Sequence, residues 1–198
     1  MSETLENLSR DLSDAESSGK VEKIAEVCRR ALDTPSVQSA PEEIFRFGIK
    51  LTALLLAGEE PIRPADVEEG IRVLQKLLAF VSRENNPRQW AHIHVQLGAA
   101  FFREEQTLRT AISHFENALL ILRKDRSPKE WALTKVAAGQ AYWRLGDKSE
   151  RAVAIAYLEE ALTVYTRKKF PAEYRDYVEQ LASWKKSTRK SVGEWGQL

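Results

Sequence analysis

The chain has 198 residues, 43% of them apolar, and a net charge of +1; it is long enough to bury a core unaided and too balanced to favour nucleic acid or an anionic membrane as partner. Its single cysteine, Cys28, excludes an internal disulfide framework and any zinc site built on cysteine pairs, as fits a reducing compartment. The opening MSETLENLSRDLSDAESSG lacks the apolar stretch of a secretory signal, and no run reaches the roughly 18 apolar residues of a membrane span, so a cytoplasmic location is expected.

Helical periodicity starts within residues 3–34, where VEKIAEVCRRAL places Cys28 on an apolar helix face and predicts a buried, structural thiol. From there prolines punctuate the chain: PEEIF from Pro41, PRQWA from Pro87, PKEWA from Pro128 and PAEYR from Pro171, in steps of 46, 41 and 43 residues. Eleven residues after each proline stands a small residue, namely Thr52, Gly98, Gly139 and Ala182. Ten residues before each stands Ala31, Leu77, Ala118 or Ala161, always followed by leucine. All the variation in length falls in the segments AGEEPIRPADVEEG, REEQTLR and GDKSERA. Surface turns absorb insertions and packed helices do not, so the unit is a helix, a variable turn, a second helix and a fixed junction ending in proline.

Local signals agree with that unit. Ser127-Pro128-Lys129-Glu130 reads as a capping box with proline at the first helical position, and Asn86-Pro87-Arg88-Gln89 is its amide counterpart. Offsets of three, ten and fourteen from the prolines give Ile44, Leu51, Leu55; Trp90, Leu97, Phe101; and Trp131, Ala138, Tyr142. At 100° per residue these fall on one stripe and predict a buried face, with the adjacent small residue admitting a neighbouring helix. Residues 1–86 carry a net −5 and residues 87–198 a net +6. Much of the basic excess, Arg123-Lys124-x-Arg126 and Arg167-Lys168-Lys169, is expected where helices end.

Leu97, Gly98, Phe101, Ala111, Phe115, Ala118 and Pro128, and again Gly139, Tyr142, Ala154, Leu158, Ala161 and Pro171, give the chain a pattern that resembles the tetratricopeptide repeat. The tryptophans depart from that pattern: Trp90 and Trp131 stand one turn before the expected positions, His94 and Lys135, as in the longer, roughly 42-residue repeats of kinesin light chains and bacterial signalling proteins. The resemblance implies an all-α fold, a right-handed solenoid of about four stacked antiparallel helix pairs. It places repeats at about 3–34, 41–82, 87–124 and 128–168, a capping helix at 171–188 and a flexible tail at 189–198, the whole of 1–188 forming one domain. The role of Trp195 in that tail is left open.

In this family the first helices line a concave face. Here that face is expected to carry Arg46, Ile49, Ala53 and Leu56; His92, Val95, Ala99 and Phe102; Leu133, Val136, Gln140 and Trp143; and the polar Asp176, Glu179, Ser183 and Lys186. Leu56, Phe102 and Trp143 would form an apolar row suited to an amphipathic helix or an extended apolar peptide; the other reading of the row is packing between helices or beneath the C-terminal segment. Families that clamp a C-terminal carboxylate place lysine and asparagine where this chain has Ile, Val and Ala. No chemistry is visible: His92-x-His94 diverge by about 160° on a helix, there is no HExxH or phosphate loop, and paired acids such as Glu59-Glu60 and Glu68-Glu69 fall in or beside the long second turn, where solvated charge is expected. The sequence thus predicts a non-enzymatic adaptor without metal or cofactor, binding a protein or peptide. A self-assembling homo-oligomeric module is the alternative, and a helical-repeat RNA binder is disfavoured by the scarcity of cations in the groove.

Overall fold

A computed structural model describes residues 4–56 and 62–194 of the chain. Residues 57–61, with Glu59-Glu60, and residues 195–198, with Trp195, lie outside the described residues. Among the described residues regular structure is entirely helical. The helices are α1 (Leu5–Ser17), α2 (Val21–Leu32), the single turn α3 (Pro35–Gln38), α4 (Pro41–Leu56), α5 (Pro64–Leu78), α6 (Pro87–Phe101), α7 (Leu108–Leu119), α8 (Pro128–Leu145), α9 (Lys148–Leu162) and α10 (Pro171–Glu194). They fall into two compact units that divide between Asn85 and Asn86.

In the first unit α2 packs on α1 and on α4, and α4 packs on α5. Leu8, Cys28, Ala31, Phe47, Leu74 and Leu77 are fully buried at these contacts. In the second unit each helix from α6 to α9 packs on its successor. The predicted stripe is buried at Ile44, Leu51, Leu55, Leu97 and Ala138, while Trp90, Phe101, Trp131 and Tyr142 keep one edge exposed. The second helices contribute small surfaces: Ala111, Ala118, Ala154 and Ala161 are all without exposure.

Close approach follows the glycines. A Cβ built on Gly98 would stand 2.6 Å from the ring of Phe115, so α6 and α7 meet at a distance only glycine permits. In the first unit the corresponding approach is at Gly48, 2.9 Å from Leu77, one turn before the expected Thr52. Thr52 is buried as well, and its hydroxyl donates to the Ile49 carbonyl at 3.0 Å. Ala182 is exposed, because among the described residues no helix follows α10 to cover it.

The constant junction has a hydrogen-bonding cause. Leu122 and Tyr165, 43 residues apart, donate to Ala118 and Ala161 at 2.9 and 3.0 Å, and Ser127 and Phe170 close the following turn on Arg123 and Thr166, both at 2.9 Å. Leu122 and Tyr165 are themselves buried. Two details differ from expectation. Neither Ser127 nor Asn86 caps a helix through its side chain; proline already fixes the first helical φ, and the Ser127 hydroxyl turns back to the Arg123 carbonyl at 3.5 Å. The basic clusters after Arg123 and Arg167 lie in the junction turns, beyond the last turns of α7 and α9. The turn between α8 and α9 needs Gly146, whose φ of 87° is left-handed.

Candidate functional site

The residues expected on the first-helix face differ in exposure by position. The fifth residue after each proline, Arg46, His92, Leu133 and Asp176, is exposed in every copy. Ala53, Ala99 and Ser183, twelve residues after, are exposed too, with Gln140 half-buried. Eight residues after, Ile49 and Val95 are half-buried and Val136 is only 4% exposed. Leu56, Phe102 and Trp143 are half-buried.

Each of the larger side chains has partners inside its own unit. Arg46 reaches Glu43 at 2.8 Å and the Ser9 hydroxyl at 2.9 Å, with its guanidinium 4.5 Å above the Phe47 ring. Leu56 lies against Gly70 of α5. His92 shares a 2.8 Å hydrogen bond with Gln96. Val95 packs on Ala91, Ala118 and Leu122.

Phe102 and Trp143 are covered by side chains from neighbouring helices. Phe102 rests on Leu108, Ile112 and Ala141, and the Arg144 guanidinium stands 4.7 Å over its ring. Arg144 is held there by the Phe102 carbonyl and by Glu105, the latter at 2.6 Å. Trp143 stacks on Trp184 of α10 with centroids 4.7 Å apart and planes 6° from parallel, and Arg151 approaches from 5.1 Å. Trp184 is 6% exposed and joins Val136, Leu158 and Tyr165 in one core cluster. Leu133 has no such cover and is 50% exposed.

Two polar constellations also form between helices. His94 of α6 and His114 of α7 meet Nδ1 to Nδ1 at 2.8 Å, so one ring donates its proton and the other accepts. Trp90 tilts against His94 at 4.1 Å and Phe101 stacks on His114 at 5.5 Å. Burial pushes His94 down to about 4, the charge of His114 adding to the effect, and burial alone lowers His114. Glu116 accepts from the Tyr157 and Tyr142 hydroxyls at 2.6 and 3.3 Å, and burial first, then Glu116, pushes both phenols up. Nothing in the spacing of these residues marked them, because each partnership joins different helices.

Among the described residues no three His, Cys, Asp or Glu side chains are grouped to hold a metal ion. Cys28 is fully buried and burial pushes its thiol up to about 11, which keeps it protonated and unreactive at neutral pH. No described helix is long and apolar enough to cross a membrane. No family model matches the chain, and no curated protein or solved structure matches it.

Proposed function

We propose that this protein is a non-enzymatic interaction scaffold, a tetratricopeptide-type right-handed stack of helix pairs in the cytoplasm, whose first-helix face receives a partner's amphipathic helix or extended apolar segment. The supporting observation is exposure along that face within the second unit: the fifth residue after Pro87, Pro128 and Pro171 reaches solvent, and at Leu133 it is a large aliphatic side chain left half exposed on a helix packed from both sides. Partly enclosed apolar residues beside polar ones are where binding energy concentrates. The half-buried Phe102 and Trp143 act in this reading as a firm rim, since both already hold partners within the fold.

A photo-crosslinker placed at Leu133 should capture a partner protein in the native cytosol. The same group at Leu120, equally exposed just past the end of α7, should not. Leu133→Glu should weaken capture of that partner about fivefold, the loss of roughly 1 kcal/mol of apolar contact, without lowering the melting temperature. Equal adducts from both positions would remove the reading, and adducts only with a second copy of the chain would replace it with self-assembly.

A further inference from the structure

The first unit contains a recess that the proposed scaffold role does not use. It has a volume of about 600 Å³ and opens between α2 and α5 above α4. Ile44, Leu51 and Leu77 form its floor, and Leu32, Val73 and Phe80 its sides. The floor is nearly dry: Ile44 is 7% exposed, Leu51 1% and Leu77 not at all, whereas Phe80 at the mouth is 43% exposed. None of the residues predicted for the first-helix face lines it.

The charges around this recess do not cancel. Arg29 of α2 donates Nε and Nη2 to the two oxygens of Glu69 on α5, at 2.6 and 2.8 Å, which joins the walls and occupies that carboxylate completely. Arg72 and Lys76, one turn apart on α5, also line the recess. Among the described residues neither has a hydrogen-bonded or ion-paired partner, and Asp33 on the opposite wall makes no ion pair with them. An apolar hollow edged by Arg72 and Lys76, against the single unpaired carboxylate of Asp33 on the far wall, keeps a net positive lining and is complementary to a molecule with a greasy body and one negative end seated at the two cations. Its volume lies within the roughly 300–1,000 Å³ typical of sites for small organic ligands.

We propose that this recess is a binding site for a small amphipathic carboxylate, its hydrocarbon portion between Leu32, Val73 and Phe80 and its carboxylate at Arg72 and Lys76. The apolar floor supplies affinity in proportion to chain length, and the paired cations select the anion over a neutral or cationic head. Arg29 serves by position: it neutralises Glu69, which would otherwise repel the ligand's carboxylate from one turn away.

Isothermal titration of the full chain with octanoate, decanoate and dodecanoate tests this directly. Saturable one-to-one binding is expected, tightening about three- to fourfold for each methylene added. Decyltrimethylammonium and decanol should bind at least tenfold more weakly than decanoate. Arg72→Gln with Lys76→Gln should weaken decanoate about tenfold or more and leave decanol unchanged. Val73→Trp should abolish binding by filling the hollow. Should that variant unfold, Phe80→Ala at the exposed mouth gives the second reading, with several-fold weaker binding at an unchanged melting temperature. Absence of saturable binding, equal affinity for the ammonium or the alcohol, or binding untouched by the cation changes would overturn the proposal. So would occupancy by a second copy, seen as a concentration-dependent mass that Phe80→Glu abolishes. None of these outcomes bears on crosslinking at Leu133, so the two proposals fail separately.

Discussion

Gly98→Ala tests the helix register of the second unit most sharply. The new methyl would stand 2.6 Å from both Cδ1 and Cε1 of Phe115 and 3.0 Å from Cγ, roughly 1 Å inside ordinary carbon contact. Phe115 is 1% exposed and cannot swing out to solvent, so α6 and α7 must separate or the ring must leave its rotamer. Overpacking of this kind costs roughly 1–3 kcal/mol. Replacing a glycine inside a helix by alanine returns about 0.8–1 kcal/mol of propensity. A net loss of up to about 2 kcal/mol is expected, or a melting temperature lower by up to about 8 °C in a chain of this size. Gly139→Ala is the internal control. Its methyl would meet the Ala154 carbonyl oxygen at 3.2 Å and Tyr157 Cβ at 3.4 Å, so the gain and the strain should nearly cancel. Urea denaturation of both variants, together with Phe115→Leu and the double variant, completes a mutant cycle in which Phe115→Leu relieves most of the penalty of Gly98→Ala. If Gly98→Ala stabilises the protein by the full helix-propensity gain, or shows no coupling to Phe115, the close approach of α6 and α7 is wrong.

Two further outcomes follow from side-chain pairings between helices. Because His94 is held at about 4 when folded and titrates near its ordinary value of 6.5 when unfolded, the unfolded chain takes up the proton first. Stability is therefore intact above about pH 6.5 and declines as pH falls toward 4, by roughly 2–3 kcal/mol at about pH 4.5; the double change His94→Gln, His114→Gln should shrink that acid-dependent loss in urea titrations, and an unchanged pH slope would refute it. Trp184→Ala removes the ring that covers Trp143 and should cost about 3 kcal/mol, the lower end for a buried aromatic, with faster amide exchange in α10 and none of that change in α4; unaltered exchange in α10 would mean the stack does not anchor that helix.

What could be read in the sequence was whatever repeats at short range. Prolines opened helices at Pro41, Pro87, Pro128 and Pro171, and the alanines of the second helices reached the core, because both depend on spacing within one helix. The junctions were constant for a reason visible only in three dimensions: Leu122 and Tyr165 each fill the space left where a second helix ends. The expected cap at Ser127 is absent because its hydroxyl turns back to the Arg123 carbonyl in the preceding turn. Side chains at the rim were the hardest. The periodicity of α6 and α8 sets Phe102 and Trp143 off the core stripe, and only Arg144 and Trp184, 42 and 41 residues further along, decide whether such a ring meets water or another side chain. The His94–His114 contact is invisible to spacing for the same reason: His92-x-His94 lies along one helix and the partner of His94 stands on the next.

The distribution of exposure on the second unit bears on what a partner would have to be. With Phe102 under Arg144 and Trp143 against Trp184, the aromatic area that could anchor a ligand is already largely spent on folding, so a peptide lying there would gain its apolar contact chiefly at Leu133. One half-exposed leucine supplies at most about 1 kcal/mol of transfer energy, too little for a stable complex. The remainder must come from polar contacts at His92, Gln140 and Asp176, which differ from copy to copy. A face of that composition favours discrimination over strength: it should bind a segment whose polar groups match in order, with modest affinity, and should reject scrambled segments of the same hydrophobicity. A partner found to bind equally well after scrambling would place its affinity elsewhere on the molecule.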